Sequence, residues 1–285
     1  MKQMVLSENL RGAGFWACWI FNLLCKLFVI MVAVYPFAWM LLTSFKVLQE
    51  TNTFPPTLLP STWVVEGYTS MFNRIDVALF FKNSCVISFC VLTFQYLIIV
   101  PTAYSFARCK FPFKNVLFGV VLLGFMIPQQ LTFIPIYLMF SSFGVLQSYV
   151  PQVLPFVANA FGIFLLRQYF MQIPEEIIES ARLDSAGEIK IIFRIMIPMA
   201  KTAIFTIGLL SFISNWNSYF WPLIMTTRDT FRTLPVGVSM LSSQEGLRPW
   251  NMWMAGNMFL VTPILIVYFF ANRQIRTAFS YSGIK

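Results

Sequence analysis

The sequence has 285 residues, of which 58% are apolar and 11% are charged, and its formal net charge is +9. This composition is too apolar for the surface of a soluble domain, so we predict an integral membrane protein. The chain has no histidine, which excludes a Ser-His-Asp triad and an HExxH zinc site, and no Gly-Lys dipeptide, which excludes a Walker-type phosphate loop. Its cysteines lack paired metal-type spacing, so no metal site is expected.

Charge-free runs predict the membrane spans, because a charge at the bilayer centre is costly. Most runs have the length of one helical span, and the run between Lys114 and Arg167 has room for two spans separated by polar residues near Gly144. The predicted fold class is all-α integral membrane, as a single transmembrane domain over residues 1–285. Its six transmembrane helices are placed at about 20–44, 83–106, 116–140, 149–170, 202–223 and 251–272.

The loops between these spans predict the orientation of the chain. An even number of spans places both termini on one side, and most of the 20 Lys and Arg residues lie on that same side. The positive-inside rule therefore predicts cytoplasmic termini, which explains the net charge better than nucleic-acid binding does. The first apolar segment has no small-residue cleavage site and is interpreted as an uncleaved span.

The polar residues within the predicted spans are neutral amides, since all 11 acidic residues lie outside them. This distribution weighs against a proton-coupled carrier, although sodium coupling through backbone carbonyls stays open. Buried amides either join helices or line a wet path. The aromatic cluster at residues 215–222 is typical of an interfacial belt or of a surface that covers sugar faces. The candidates for a translocation path are Asn83, Gln129, Asn215, Trp216, Asn217 and Tyr219.

The longest polar interval on the predicted inner side covers residues 174–201. Pro174 suits the first position of a short helix, and Glu175 complements the positive end of its dipole. Glu179 shares a face with Glu175, and Arg182 is expected to neutralise part of this acidic ridge. Such a ridge suits an external arginine, although an ordinary amphipathic surface loop would show the same pattern.

Gly187 is expected to end this first helix in a left-handed conformation. A second helix then follows, with an otherwise apolar surface and one basic stripe formed by Lys190, Arg194 and Lys201. Such a helix lies against a membrane or under a partner.

Residues 179–198 resemble the motif of the membrane subunits of binding-protein-dependent ABC importers. The family motif has Glu-Ala-Ala, three residues, Gly, nine residues and Ile-x-Leu-Pro, and the matching residues here are Glu179, Ser180, Ala181, Ser185, Ile195, Ile197 and Pro198. Ser185 stands at the glycine place, where glycine would permit a tight turn that serine resists. Gly187 is expected to supply that turn two residues later.

Further elements of the family recur in order along most of the chain. They are Asn83-Ser84, Pro101-Thr102-Ala103-Tyr104, Met126-Ile127-Pro128, Ile134-Pro135-Ile136-Tyr137, Trp216-Asn217 with Pro222-Leu223, Thr233-Leu234-Pro235-Val236-Gly237 and Gly283-Ile284-Lys285. Among these importers, the chain is similar to the carbohydrate permeases related to the smaller maltose-permease subunit. A secondary carrier or a channel subunit for a small polar solute is the alternative.

The resemblance implies a permease subunit of a bacterial ATP-binding-cassette importer in the cytoplasmic (inner) membrane, which translocates a sugar or oligosaccharide. The implied partners are a second permease subunit, two ATPase subunits that bind Mg-ATP, an external sugar-binding protein and the lipid bilayer, with no nucleic acid. The chain itself would be no enzyme and would hold no cofactor.

The resemblance also implies two contact surfaces. Residues 174–201 would form cytoplasmic coupling helices that contact an ATPase subunit through Glu175, Glu179, Ser180, Ala181, Arg182, Asp184, Ser185, Gly187, Ile195 and Pro198. A loop between the fifth and sixth spans would contact the binding protein through Arg228, Asp229, Arg232, Glu245 and Arg248.

Overall fold

The computed structural model describes residues 2–242 and 248–280, with the side chains of residues 18–242 and 248–271. Helices dominate this part of the chain, and no strand occurs in it. The longer helices are α1 (Lys2–Ser44), α2 (Glu66–Arg74), α3 (Val77–Arg108), α4 (Lys114–Met126) and α5 (Gln129–Ser142). They are followed by α6 (Val150–Val153), α7 (Ala160–Met171), α8 (Glu175–Leu183), α9 (Glu188–Ile191), α10 (Ile197–Met199), α11 (Lys201–Trp216), α12 (Phe220–Met225), α13 (Leu234–Met240) and α14 (Trp250–Ser280).

Four helical segments in the described residues are long and apolar enough to cross a membrane. They are Cys18–Ser44, Val77–Arg108, Val150–Met171 and Trp250–Ala271. Two further candidates are bent pairs, Lys114–Met126 with Gln129–Ser142 at 94° and Glu188–Met199 with Lys201–Trp216 at 82°. The number of crossings reaches the predicted six if each bent pair makes one.

The predicted span at 116–140 is interrupted at Ile127 and Pro128. Both residues are extended, with ψ of 119° and 131°. Proline disfavours the helical conformation of the residue before it, so α4 ends at Met126 and α5 starts in a new direction. The predicted span at 202–223 is also divided, because α11 ends at Trp216 and α12 begins only at Phe220.

The second predicted span begins earlier than the charge pattern indicated. Helix α3 starts at Val77 instead of residue 83, because the Asp76 carboxylate accepts the N–H of Leu79 at 2.9 Å and caps the helix. Lys82 therefore lies inside α3. A charge-free run indicates which residues can lie in the hydrocarbon layer. The helix itself begins at its cap, which can lie outside that layer.

The chain divides into two compact units, Met1–Arg74 with Leu241–Met258 and Ile75–Met240 with Phe259–Lys285. In the second unit, buried side chains of α3, α7, α8 and the π-helical turn Ile192–Met196 form a core that includes Ile99, Leu166, Ile178 and Met196. The expectation of one domain over residues 1–285 stays a prediction.

The first unit contains a buried lysine after the end of α1. Lys46 is 2% exposed, donates to the Thr57 carbonyl and lies 5.0 Å from the ring centre of Trp39. Hydrogen bonds from Thr57 and from Ser61 hold the pKa of the Glu50 carboxyl below its usual range. These contacts fix the loop that follows α1.

Helix α3 is closely packed against α13 near its start and against α11 further along. A Cβ added to Gly237 of α13 would lie 2.2 Å from the buried ring of Phe80. A Cβ added to Gly208 of α11 would lie 2.1 Å from the hydroxyl of Tyr96, which donates to the Ile204 carbonyl at 2.6 Å. Glycine at these two positions allows α11 and α13 to approach α3.

Candidate functional site

Helix α8 forms the first half of the predicted coupling segment. It begins at Glu175, and Pro174 precedes it with an extended conformation instead of occupying its first position. Ile178 is fully buried and fastens α8 to the core, while Glu179 is exposed and Leu183 is 86% exposed. The helix therefore presents an acidic and apolar surface to its surroundings.

The turn after α8 is made by Ser185, and the expectation for Gly187 is wrong. Ser185 has a φ of 56°, whereas Gly187 is extended with a φ of −69° and a ψ of 159°. The N–H of Ser185 donates to the Arg182 carbonyl at 3.0 Å, and the N–H of Ala186 donates to the Ala181 carbonyl at 2.9 Å. This is the bonding of a Schellman motif, which requires its left-handed residue at position 185.

Arg182 pairs with Glu188 and not with Glu179, so the predicted neutralisation of the acidic ridge is wrong. The Arg182 Nε lies 3.1 Å from one oxygen of Glu188, and the hydroxyl of Tyr104 donates to the other oxygen. Hydrogen bonding to Glu188 raises the pKa of Arg182. The turn at Ser185 brings the start of α9 back over α8, and this approach decides the pairing.

A second ionic contact holds the start of α8. The Nη1 of Arg108 lies 2.9 Å from Glu175, and its Nη2 donates to the carbonyls of Phe170, at 2.7 Å, and Ile173. The Arg108 side chain is only 7% exposed. We call this contact and the Tyr104–Glu188–Arg182 contact the two latches, because both join the coupling segment to the last turns of α3.

The two latches were not predicted from the sequence as contacts. The sequence marks Tyr104 only as part of a family element and Arg108 only as one of the 20 Lys and Arg residues. Their partners are 84 and 67 residues away, so no local spacing reveals them.

The predicted second coupling helix extends over residues 188–199 and contains a π-helical turn. It consists of α9, the π-helical turn Ile192–Met196 and α10, and an 82° bend separates it from α11. Pro198 has no N–H to donate to the carbonyl of Arg194, which removes one α-helical hydrogen bond here. Lys190, Arg194, Lys201 and Pro198 are exposed, and Ile195 is half-buried.

Two polar clefts lie where α5 and α11 meet the segments around them. The first has a volume of about 390 Å³ and is bordered by Gln130, Tyr219 and Phe220, among others. The second has a volume of about 400 Å³ and reaches Gln95 of α3 and Asn159. The clefts adjoin each other, since Gln129, Phe156, Ser214 and Asn215 line both.

The structure brings three of the predicted path residues, Gln129, Asn215 and Tyr219, to these clefts. Asn83 is fully buried and donates to the carbonyls of Thr230 and Arg232 at 2.9 and 2.8 Å, which is the helix-joining role.

The other two residues also lie outside the cleft linings. Trp216 is 2% exposed and donates to the Leu260 carbonyl at 2.9 Å. Asn217 is exposed at the C-terminal end of α11.

The predicted binding-protein loop is partly a packed helix. Residues 233–238 are buried, and the N–H of Leu234 donates to Ser84 of α3 at 2.8 Å. Exposed Arg228 and Asp229 precede this segment, and Asp229 pairs with Arg232.

The remaining residues of this loop belong to its second half. The Arg248 guanidinium lies 5.9 Å from the ring centre of Trp250. Glu245 and the terminal Gly283-Ile284-Lys285 lie outside the described residues.

The sequence and the fold both match known transport proteins. Residues 99–279 match the family model of the binding-protein-dependent transport system inner membrane component. The chain is 30% identical over 230 residues to the sn-glycerol-3-phosphate transport system permease protein UgpE of Yersinia enterocolitica. The aligned region covers 77% of this chain and 82% of that protein. The chain is 29% identical over 227 residues to the arabinooligosaccharides transport system permease protein AraQ of Bacillus subtilis, with 79% and 80% covered.

Among solved structures, the chain resembles a subunit of a bacterial ABC transporter involved in the import of the acidic polysaccharide alginate. The TM-score is 0.80 at 23% identity, and the match covers 89% of this chain and 95% of that one. The predicted all-α permease fold is therefore confirmed, and the family match rejects the alternative class, a secondary carrier or a channel subunit. The chain belongs to the family of inner membrane components of binding-protein-dependent transport systems.

Proposed function

We propose that the chain translocates a sugar or an oligosaccharide that an external binding protein delivers. It would act with a second permease subunit and with two ATPase subunits, which bind Mg-ATP and hydrolyse it. Two relatives support the solute class, since their names specify arabinooligosaccharides and alginate, while a third is named for a glycerol phosphate. A second structural relative is described in complex with an alginate-bound periplasmic protein.

The observation that carries this proposal is an exposed surface held firmly to a membrane span. We define the coupling surface as Glu176, Glu179, Leu183 and Asp184, all of which are exposed. No ion pair occupies these acids within the described residues. An 86% exposed leucine beside three free carboxylates suits a partner groove that has an apolar floor and a basic rim.

The latches give this surface its mechanical role. Glu175 at the start of α8 is fixed by Arg108, and Glu188 at the start of α9 is fixed by Tyr104. A partner that moves the coupling surface must therefore move the end of α3 or break charged hydrogen bonds, each of which contributes about 1.5 to 3 kcal/mol. ATP-driven closure of the ATPase pair would supply this movement, so the chain needs no nucleotide site of its own.

The proposed orientation places both termini and residues 174–201 in the cytoplasm. In a cysteine-free background, a cysteine at exposed Lys190 should react with a membrane-impermeant thiol reagent only after permeabilisation. A cysteine at exposed Glu66 should react in intact spheroplasts. Labelling of position 190 from outside would overturn the orientation.

A charge reversal tests the coupling surface. Glu179→Lys should leave the chain in the membrane but weaken ATPase association and abolish uptake, because it places a positive charge against the basic rim. Glu66→Lys makes the same change of charge on another exposed helix and is the matched control. Pull-down of the ATPase subunits and uptake by whole cells provide the measurements, and normal values for both in Glu179→Lys would contradict the proposal.

On the outer face, exposed Arg228 and Asp229 are proposed to contact the binding protein. Arg248, which belongs to the other compact unit, is proposed as a separate contact. Arg232 is proposed to hold the segment of Arg228 and Asp229 in place, since its guanidinium pairs with Asp229 and donates to the Thr227 carbonyl at 2.8 Å. The amide oxygen of Gln147 accepts the N–H groups of Thr227 and Arg228 at 2.8 and 2.9 Å, so this contact surface has a fixed conformation.

A further inference from the structure

The lining of the two clefts includes several polar side chains but no charged one among the described residues. Its polar groups are the amides of glutamine and asparagine and the hydroxyls of serine and tyrosine. Such groups donate and accept hydrogen bonds but do not compensate a full charge. The remaining lining residues are mainly aromatic.

Much of this hydrogen-bonding capacity is unused within the described residues. The side chains of Gln129, Gln130, Ser214 and Tyr219 have no hydrogen-bond partner there, and Asn215 donates only to the Ser211 carbonyl at 2.7 Å. Gln129, Gln130, Ser214 and Asn215 lie on helices that are apolar enough to enter a membrane, and Tyr219 lies in the short segment between α11 and α12. Hydrocarbon would leave them unpaired at a large cost, so water, the second permease subunit or a hydroxylated solute must complete their bonds.

Exposed aromatic rings stand beside these amides. Tyr219 is 43% exposed and Phe220 is 55% exposed, and the ring of Phe220 is 5.2 Å from that of Phe133. Flat rings cover the C–H faces of a sugar, while neighbouring amides bind its hydroxyls. A membrane-interface belt would need the rings but not the unpaired amides next to them.

We infer that the clefts bind a neutral saccharide and disfavour acidic or phosphorylated ones. This inference rests on the proposed function and narrows its solute class. An anion in the clefts would lose its hydration without meeting a cation of this chain, which is strongly unfavourable. The first turn of α5 points its N-terminal dipole toward an anion at Gln129, but that attraction is weak in comparison. Two of the relatives are named for anionic solutes, so the inference separates this chain from them.

A cysteine in the lining makes binding measurable without knowledge of the natural solute. Ser214→Cys in a cysteine-free, fully assembled complex is exposed to a thiol reagent, both nucleotide-free and trapped with vanadate. We expect maltotriose at millimolar concentration to slow the modification at least threefold in one of the two states. Trigalacturonic acid, a charged trisaccharide of similar size, should slow it less than 1.5-fold. Ser142→Cys, exposed on α5 but outside both linings, should be unaffected by either sugar.

A second variant tests whether charge is the cause. Gln130→Lys places one cation in the first cleft and should reverse the preference, so that trigalacturonic acid protects position 214 more than maltotriose does. Equal protection by the two sugars before this change, or no protection by maltotriose in either state, overturns the inference.

The proposed function is tested separately by ATP-driven uptake in proteoliposomes of the same complex with its binding protein. Uptake restricted to acidic or phosphorylated solutes would leave the permease role intact and overturn the inference. A complex that accumulates no saccharide at all, with its ATPase still active, would overturn the proposed function instead.

Discussion

Replacement of Ser185 by glycine should strengthen the turn between α8 and α9. A left-handed conformation costs a residue with a Cβ about 1 to 2 kcal/mol, and Ser185 adopts it with a φ of 56°. Glycine avoids that cost but loses about 0.5 to 1 kcal/mol through its greater freedom in the open state. If the two terms are taken at matching ends of their ranges, the net stabilisation expected for Ser185→Gly is about 0.5 to 1 kcal/mol.

Amide hydrogen exchange measures the stability of this turn directly. The amide of Ala186, which donates to the Ala181 carbonyl at 2.9 Å, exchanges only when the turn opens. Its exchange should be roughly two- to fivefold slower in Ser185→Gly, the factor that corresponds to about 0.5 to 1 kcal/mol. Ser180→Gly is the matched control, because glycine within α8 lowers helix stability and should speed exchange. An unchanged or faster exchange of Ala186 in Ser185→Gly would refute the assignment of strain to position 185.

Two further substitutions test the contacts of α3. Tyr104→Phe removes a hydrogen bond to the Glu188 carboxylate, worth about 1.5 to 3 kcal/mol, so solute uptake per ATP hydrolysed should fall roughly tenfold while the complex still assembles; an unchanged ratio would show that this latch does not couple. Gly237→Ala places a methyl group 2.2 Å from a buried ring and should destabilise the protein in detergent by about 1 to 3 kcal/mol. Gly119→Ala, where nothing lies within 4 Å, should show no such loss in the same thermal unfolding assay, and equal effects would contradict the packing argument.

Patterns of charge and proline predicted much of the architecture. Charge indicates the solvent around each segment, and proline restricts the conformation of the backbone. The start of α8 at Glu175 follows from Pro174, and the break after Met126 follows in principle from the rule that governs Pro128. The prediction of one continuous span there relied on charge spacing alone. Charge spacing locates apolar runs but carries no information on the direction of the backbone within them.

The turn at Ser185 shows where composition gave the wrong answer. Glycine is the usual left-handed residue, so Gly187 was the obvious choice from the sequence. The position is decided instead by which N–H groups can reach the last carbonyls of α8, and the bond from Ala186 to Ala181 fixes it at 185. The family motif has its glycine at this place, so the motif spacing was a better guide than the local glycine.

Long-range partners account for the remaining differences. An amide such as Asn83 looks the same in the sequence whether it joins helices or lines a path. Its acceptors, Thr230 and Arg232, are 147 and 149 residues away, so only the fold distinguishes the two roles. Gln129 and Asn215 line both clefts although they are far apart in the sequence, so local spacing does not reveal this pairing either.

Helix α3 joins the two regions that the proposed function requires. Its last turns carry Tyr104 and Arg108, which hold the coupling segment, while Gln95 lines the second cleft and donates to the Phe156 carbonyl at 2.8 Å. Tyr104 follows Gln95 by nine positions, which is about 13.5 Å along the helix axis. Between them, Ile99 and Ala103 are fully buried against the core, so this stretch of α3 is packed and is not a free lever. Under the proposed function, a displacement of the latches would therefore reach the cleft lining through one packed helix, without passing through a loop.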